Sequence, residues 1–419
     1  MARLGSWAAE RRVAVACSGG ADSMALTLLA ATWGQPLALI VDHGLRPESA
    51  NEAVLTQQRL AARGIPARVL TLRGLKRGPG LAARARAARY ASLEQACREA
   101  GLLDLLLGHH LRDQAETLLM RQRAASGPAG LAAMAPVSET RALRLVRPLL
   151  TIPPARLRAT LRAAGLDWAE DPSNTDPATL RARLRAELAG GPDIAALAEQ
   201  AAEAAAARDT AEAAIATVLA RRARIFPEGY AQLSPGPLPA AALAALIRMV
   251  TGAAYPVRAA QLRALAADPR PATLGGARLI PAGRLGEGLL CVREEAAMAP
   301  PTPATPGVLW DRRFRLSWDA VPSRGTTLGA LGPDAASLRD LSPLPAAILR
   351  GLPALRVNTA LVAVPHIGYR LPEFPAWGIG FCPATPAAGA PFRARGDAEE
   401  PSGPHVASEA LPASSAGGV

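Results

Sequence analysis

Val13-Ala14-Val15-Ala16-Cys17-Ser18-Gly19-Gly20-Ala21-Asp22-Ser23-Met24-Ala25-Leu26 contains a strand, a turn and the start of a helix. Val13 to Cys17 are apolar or small, the composition of a short buried strand. Ser18 to Ser23 form a polar, glycine-containing turn, and a helical pattern follows. A helix entered this way directs its unpaired N–H groups at whatever sits over the turn. Gly19 and Gly20 have no Cβ, so an anion can approach the backbone closely. Ser18 and Ser23 add hydroxyl donors, and Asp22 is a candidate metal ligand. The segment lacks the Gly-Lys-Ser/Thr ending of the P-loop. Two readings stand at this point: a phosphate cradle, and a tight turn with a polar N-cap.

Outward from this stretch the pattern repeats. Strand-like runs at 13–17, 37–41, 67–72 and 103–108 alternate with helical patterns at 23–32, 51–63, 81–100 and 113–123. Repeated βα units predict an α/β fold, a Rossmann-like parallel sheet flanked by helices. Ligands of such sheets bind at the carboxyl ends of the strands. Three more polar clusters fall there: Asp42-His43-Gly44-Leu45-Arg46, the glycine-rich Arg73–Gly80 with Arg84, Arg86 and Arg89 beyond it, and His109-His110 with Asp113 to Thr117.

The rest of the chain is less regular. Residues 124–147 read as a loop-rich connection, 156–164 and 179–188 as helices, and 168–174 as a turn. Gly190-Gly191-Pro192 breaks the pattern and marks a domain boundary. A long alanine-rich helix over 194–224 follows, then helices over 239–250 and 257–267. β-like runs come at 273–280, 289–294 and 314–318, and Ala299–Pro306 reads as a surface loop. The organisation expected is a catalytic α/β domain over 1–190, a helical region over 191–270 and a smaller mixed α/β domain over 271–382. Residues 383–419, poor in large apolar groups, are expected to be a disordered tail.

Composition narrows the classes. The chain has 419 residues, 50% of them hydrophobic, and a net charge of +12. Residues 1–190 hold 26 of the 47 basic and 16 of the 35 acidic side chains, so most of the net charge lies there. A basic surface beside a phosphate cradle suggests a polyanionic partner such as RNA, and a solvated basic face is the plainer reading. Charges interrupt every long apolar run, so no membrane-spanning helix is expected. Residues 1–12 lack an apolar signal core, and a cytoplasmic location is the expectation. Cys17, Cys97, Cys291 and Cys382 are scattered without a C-x-x-C pair, which argues against a zinc site or a disulfide framework.

The loop Ser18–Ser23 resembles the S-G-G-x-D-S loop of the PP-loop ATP pyrophosphatases. Taken with it, further segments resemble the tRNA(Ile)-lysidine synthases: Val41–Arg46, the helix with Arg84 and Arg89-Tyr90, Gly108–His110 with Asp113–Thr117, Arg147-Pro148-Leu149, Asp171–Asn174, and Arg181 to Arg185. These span about residues 12–190. The first loop marks only the superfamily; D-H-G-L-R and H-H-x-x-D-Q-x-E-T are far more specific. Weaker likeness continues in Tyr255–Arg258, Thr273–Gly276, Arg293-Glu294 and Trp310–Phe314. Two departures stand out. The family's R-G-S-G reads Arg123-Ala124-Ala125-Ser126-Gly127, and its R-N-R-I-R reads Arg181-Ala182-Arg183-Leu184-Arg185.

The resemblance implies a two-step reaction. ATP adenylates the C2 oxygen of the wobble cytidine in an isoleucine tRNA with a CAU anticodon, releasing pyrophosphate. The amine of free L-lysine then attacks C2 and expels AMP. It also implies Mg²⁺ and, by family habit, a homodimer. Ser18, Gly19, Gly20, Ala21, Asp22 and Ser23 would bind ATP, with Asp22 the magnesium ligand and catalytic. Asp113 and Glu116, at i and i+3, share one helix face and suit the lysine ammonium groups; as carboxylates near a helix N-terminus they also suit the dipole. His109 ends its strand and is the candidate catalytic histidine, with packing as the alternative. In an extended segment His110 would point elsewhere, and for it a packed, hydrogen-bonded histidine is the stronger alternative; His43 reads as loop-shaping. Arg84 and Arg89 do not share a face, since five residues rotate about 500°, and family position favours Arg89. Arg181 and Arg185, at i and i+4, do share one and would reach the reacting phosphate or tRNA; a solvated basic face is the alternative. The rival functions are a PP-loop tRNA thiolase, disfavoured by the lack of paired cysteines, and a non-catalytic nucleotide- or RNA-binding module.

Overall fold

Arg12–Cys17 form β1, buried from Val13 onward. Val13 and Val15 pack on one face with Met24, Ala25 and Leu157, and Ala14 and Ala16 pack on the other with Leu93 and Cys97. A strand covered on both faces needs apolar residues at every position, which is why this run shows no alternation. The computed structural model describes residues 4, 7, 10–45, 48–75, 78–140, 142–170, 180–189, 193–254, 257, 259–317 and 325–388, with side chains at all of these except 180–182, 189 and 259.

Around β1 the chain builds α1 (Ala21–Trp33), β2 (Gln35–Asp42), α2 (Ser49–Ala61), β3 (Ala67–Thr71), α3 (Leu81–Glu99), β4 (Asp104–Leu107) and α4 (Leu111–Arg123). Then come α5 (Pro128–Leu131), β5 (Val137–Glu139), β6 (Arg144–Val146), α6 (Pro154–Ala163), α7 (Leu180–Ala189) and α8 (Ile194–Arg222). The sheet order is β3-β2-β1-β4-β6-β5. The pairs β1·β2, β2·β3, β1·β4 and β4·β6 are parallel, and β5 closes the edge antiparallel to β6. The expected α/β sheet with helices on both faces is therefore observed.

Residues 124–147, read as a loop-rich connection, supply the last two strands. Each strand is three residues long, too short to show a period. Their position is set by tertiary contacts: the Arg144 guanidinium pairs with the Asp104 carboxylate and lies 4.6 Å from the centre of the Trp7 ring.

β1, β2, β3, β4 and β6 end at Cys17, Asp42, Thr71, Leu107 and Val146 along one edge of the sheet. The winding reverses between β1 and β4, which opens a crevice at their carboxyl ends. Ala115 and Leu118 of α4 pack with Leu188 of α7 and with Leu197 and Ala201 of α8. That small cluster brings the basic helix α7 alongside the acidic face of α4.

The described residues divide into two packing units, up to Ala202 and from Glu203, within α8. The proposed break at Gly190-Gly191-Pro192 lies outside the described residues, as do Asp171–Asn174 and residues 389–419 of the expected tail. In the second unit come β7 (Ala223–Ile225), β8 (Ala231–Leu233), α9 (Ala240–Thr251), α10 (Ala259–Ala267), β9 (Ala272–Leu274), β10 (Ala277–Pro281) and β11 (Leu289–Arg293). They form an antiparallel sheet β7-β8-β11-β10-β9. Buried residues of α9, including Leu243, Leu246 and Val250, share a core with it. The run at 273–280, read as one strand, is a hairpin: Gly275 and Gly276 turn it at φ 60° and 80°.

Two smaller sheets follow, built from β12 (Thr302–Pro303), β13 (Leu309–Trp310), β14 (Phe314–Ser317), β15 (Thr326–Ala330), α11 (Ala346–Leu349), β16 (Pro353–Val357), β17 (Ala360–Val364), β18 (Tyr369–Arg370) and β19 (Gly378–Phe381). Their orders are β12-β15-β16-β17-β18 and β13-β14-β19. Ala299–Pro306, expected as a surface loop, contributes the short edge strand β12.

Candidate functional site

The loop after β1 is held in shape by its own residues. Gly19 has φ +82°, and a Cβ there would stand 2.5 Å from Thr56 Oγ1. Gly20 is the extended N-cap of α1, and no side chain caps that end, so its first N–H groups remain available to a ligand. Ser23 turns inward, 7% exposed. Its hydroxyl accepts from the Ser18 N–H at 3.1 Å and donates to the Gly20 carbonyl at 3.0 Å. Ser23 thus braces the loop, and Ser18 is left as the more accessible hydroxyl. The Gly19 carbonyl accepts from the Ala169 N–H at 2.8 Å.

Asp22 lies in the first turn of α1. Its Oδ2 is 3.4 Å from His110 Nε2, and its Oδ1 is buried without a hydrogen-bond partner. An unsatisfied buried carboxylate oxygen beside the open N-terminus of α1 fits a divalent cation, because Mg²⁺ binds through one or two carboxylates together with phosphate oxygens and water. Among the described residues no group of three or more His, Cys, Asp or Glu side chains forms a dedicated metal cage.

The segment after β4 faces that loop. His109 sits half-buried at the strand end. His110 is buried and becomes the N-cap of α4 rather than continuing the strand. Its Nδ1 accepts from the Asp113 N–H at 3.4 Å, and the Asp113 carboxylate accepts from the His110 N–H at 3.0 Å. This reciprocal capping box satisfies two otherwise unpaired donors. Burial pulls the His110 imidazole down, but the Asp22 hydrogen bond and the charges of Asp113, Asp22 and Glu116 outweigh it and leave its pKa raised. The sequence offers a packed, hydrogen-bonded His110 but not its partners; the Asp three residues after it is the capping signal that points to one of them.

Asp113 and Glu116 are 8% and 1% exposed. Arg185 of α7 donates from Nε to Glu116 Oε1 at 2.9 Å, and its Nη2 is 3.9 Å from Asp113 Oδ1. Glu116 Oε2 stays buried without a partner. The structure thus brings together the two carboxylates and one of the two α7 arginines singled out by sequence. The side chain of the other, Arg181, lies outside the described residues.

Arg89, on α3, has no hydrogen-bond or ion-pair partner among the described residues, and burial lowers its pKa. Burial first, and then the Arg89 charge, push the nearby His43 below its usual value. Asp42 shapes the loop after β2, accepting from the Gly44 N–H at 2.9 Å and the Ser49 hydroxyl at 2.6 Å. Arg147, at the end of β6, donates to the Ala135 carbonyl at 2.8 Å and the Ser138 hydroxyl at 3.0 Å. It adds a fifth polar position to the same sheet edge.

A family model described as a PP-loop domain matches residues 2–191. The chain is 51% identical over 179 residues to a tRNA(Ile)-lysidine synthase of a Bradyrhizobium strain, covering 41% of this chain and 50% of that protein. It is 38% identical over 385 residues to the tRNA(Ile)-lysidine synthase of Ruegeria pomeroyi, covering 85% of this chain and 89% of the relative. With the Hyphomonas neptunium protein of the same name, identity is 39% over 312 residues, covering 69% and 83%. The chain therefore spans about half the length of the first of these relatives and most of the other two. With identity sustained along nearly the whole of the Ruegeria protein, the chain belongs to the tRNA(Ile)-lysidine synthase family.

Proposed function

We propose that this protein ligates free L-lysine to C2 of the wobble cytidine of an isoleucine tRNA with a CAU anticodon. ATP is consumed, and AMP and pyrophosphate are released. The observation that carries the reading is the meeting of Asp22, His110, Asp113 and Glu116 at one sheet edge. A phosphate cradle stands there beside a buried carboxylate pair suited to a cationic amino acid.

In the first step the cytidine O2 attacks the α-phosphorus of ATP, and the bond to pyrophosphate breaks. Negative charge grows on the leaving group, and the N–H groups at the start of α1 face it. Asp22 would hold Mg²⁺ through its unpartnered Oδ1, and the bound ion supplies further charge neutralisation. Arg89, a guanidinium without an anionic partner among the described residues, suits the phosphates or the lysine carboxylate. In the second step the lysine amine forms the C2–N bond, the C2–O bond to AMP breaks, and the amine gives up a proton. His109 is our candidate to accept it. Asp113 and the Oε2 of Glu116 bind the ammonium groups, with Arg185 orienting Glu116 through its other oxygen. Arg181 is our candidate for the reacting phosphate or a tRNA phosphate. The reaction needs no membrane, and no helix among the described residues is long and apolar enough to cross one. Paired-cysteine thiolation chemistry has no support: Cys17, Cys97 and Cys291 are each buried, and the four cysteines stand far apart in the sequence.

Incubating the protein with ATP, Mg²⁺, radiolabelled lysine and a CAU-anticodon isoleucine tRNA transcript tests the reading. Lysine incorporation into the tRNA is expected. Asp22→Ala should lower it by ~100-fold or more, the usual size for loss of one preorganised electrostatic group. Failure of the folded wild-type protein to incorporate lysine contradicts the proposal.

A further inference from the structure

We infer that His110 is a positioning residue that ties the nucleotide loop to the amine-binding helix, setting the Asp22 carboxylate and the first turn of α4 with one ring. The inference deepens the proposed function and rests on it. The ring uses its two nitrogens in two directions. Nδ1 takes the Asp113 N–H at the start of α4, and Nε2 lies 3.4 Å from Asp22 Oδ2 at the start of α1. The ring is 6% exposed and so is held in place by the packing around it.

The neighbouring backbone is built for this approach. Gly108 precedes the two histidines, and a Cβ there would stand 3.2 Å from the Ser23 nitrogen and 3.3 Å from the Asp22 carbonyl oxygen. The glycine lets the end of β4 lie close against the start of α1, within reach of the His110 ring. The consequence for Asp22 is directional. With Oδ2 held by His110, the unpartnered Oδ1 has a fixed aim, and that is the oxygen left for the cation. The consequence for α4 is that the turn carrying Asp113, with Glu116 one turn further, cannot shift without moving the ring. His109 has the strand-end position; His110 makes the connection between the two half-sites.

Two variants separate the halves of this role. His110→Asn keeps a good N-cap acceptor but is too short to reach Asp22. His110→Gln places an amide nitrogen near the position of Nε2 and gives up the short cap. Affinity for the Mg²⁺ complex of the α,β-methylene analogue of ATP is measured by equilibrium dialysis. The KM values for ATP and lysine are measured in the complete reaction. The His110→Asn variant should bind nucleotide more weakly and raise the ATP KM by ~10-fold or more, the scale of one hydrogen bond to a charged group. It should leave the lysine KM within about twofold, on the same reasoning. The His110→Gln variant should recover most of the nucleotide side and raise the lysine KM.

Wild-type nucleotide affinity and ATP KM in His110→Asn overturn the inference. So does an equal loss on both sides in both variants, following a lowered Tm, because that is the behaviour of a packing residue. If the wild-type protein binds nucleotide and ligates no lysine, the functional reading fails. The nucleotide-binding arm then still decides whether His110 holds Asp22.

Discussion

At the scale of single residues the nucleotide loop depends on Gly19. Its φ of +82° is left-handed, and the space a Cβ would take is occupied by Thr56 Oγ1, 2.5 Å away. Thr56 is 1% exposed, and its hydroxyl is tied to the Glu52 carbonyl at 2.7 Å, so it cannot move aside easily. Gly19→Ala should therefore lower both Tm and nucleotide affinity. Adding Thr56→Ala should restore part of the loss, leaving backbone strain of about 1 kcal/mol at the left-handed position. Thermal melts and nucleotide titrations of the single and double variants check this, and no recovery in the double variant contradicts the clash. The sequence reading found this loop because glycine and a polar N-cap carry a local signal. It names no partner for His110 because side-chain direction there depends on where the strand stops. That stop is set by Asp113 closing the cap, an interaction three residues ahead.

Among elements, the turn between β13 and β14 shows how the second unit is held. Asp311 and Arg312 adopt φ of 48° and 56°, a conformation that costs energy in residues other than glycine. The turn is fixed by a buried carboxylate. Asp311 accepts from Arg293 at 3.1 Å, Arg313 at 2.8 Å and the Ala299 N–H at 3.0 Å. Arg313 is 1% exposed, and burial lowers its pKa to about 10 against the pull of Asp311. Asp311→Ala leaves that guanidinium buried and unpaired, so a loss of ~3–5 kcal/mol is expected in urea unfolding. A loss below about 1 kcal/mol, the surface-pair range, contradicts the reading. Such pairings join Arg293 to residues 18 positions away, and no periodicity in the sequence reports them. The same limit hid β5 and β6. The long helices and the first four strands were legible because their apolar patterns run for several residues; three-residue strands have no pattern to read.

For the whole molecule, the alternation of strands and helices was enough to place four polar clusters on one edge of one sheet, and the structure adds Arg147 at the end of β6. What the sequence alone did not carry was their mutual contact. The nearness of Asp22 to His110 follows from the switch in winding between β1 and β4, and that of Arg185 to Glu116 from the packing of α7 on α4. The central claim is that this edge performs two reactions in order, nucleotide transfer and then displacement by an amine. The direct measurement is to incubate the protein with Mg²⁺, ATP labelled at the α-phosphorus and the CAU-anticodon isoleucine tRNA, without lysine, and then to chase with lysine. The account predicts labelled AMP bound to the tRNA before the chase and released as free AMP after it. Label that never joins the tRNA, or joins it and is not displaced by lysine, would contradict the account.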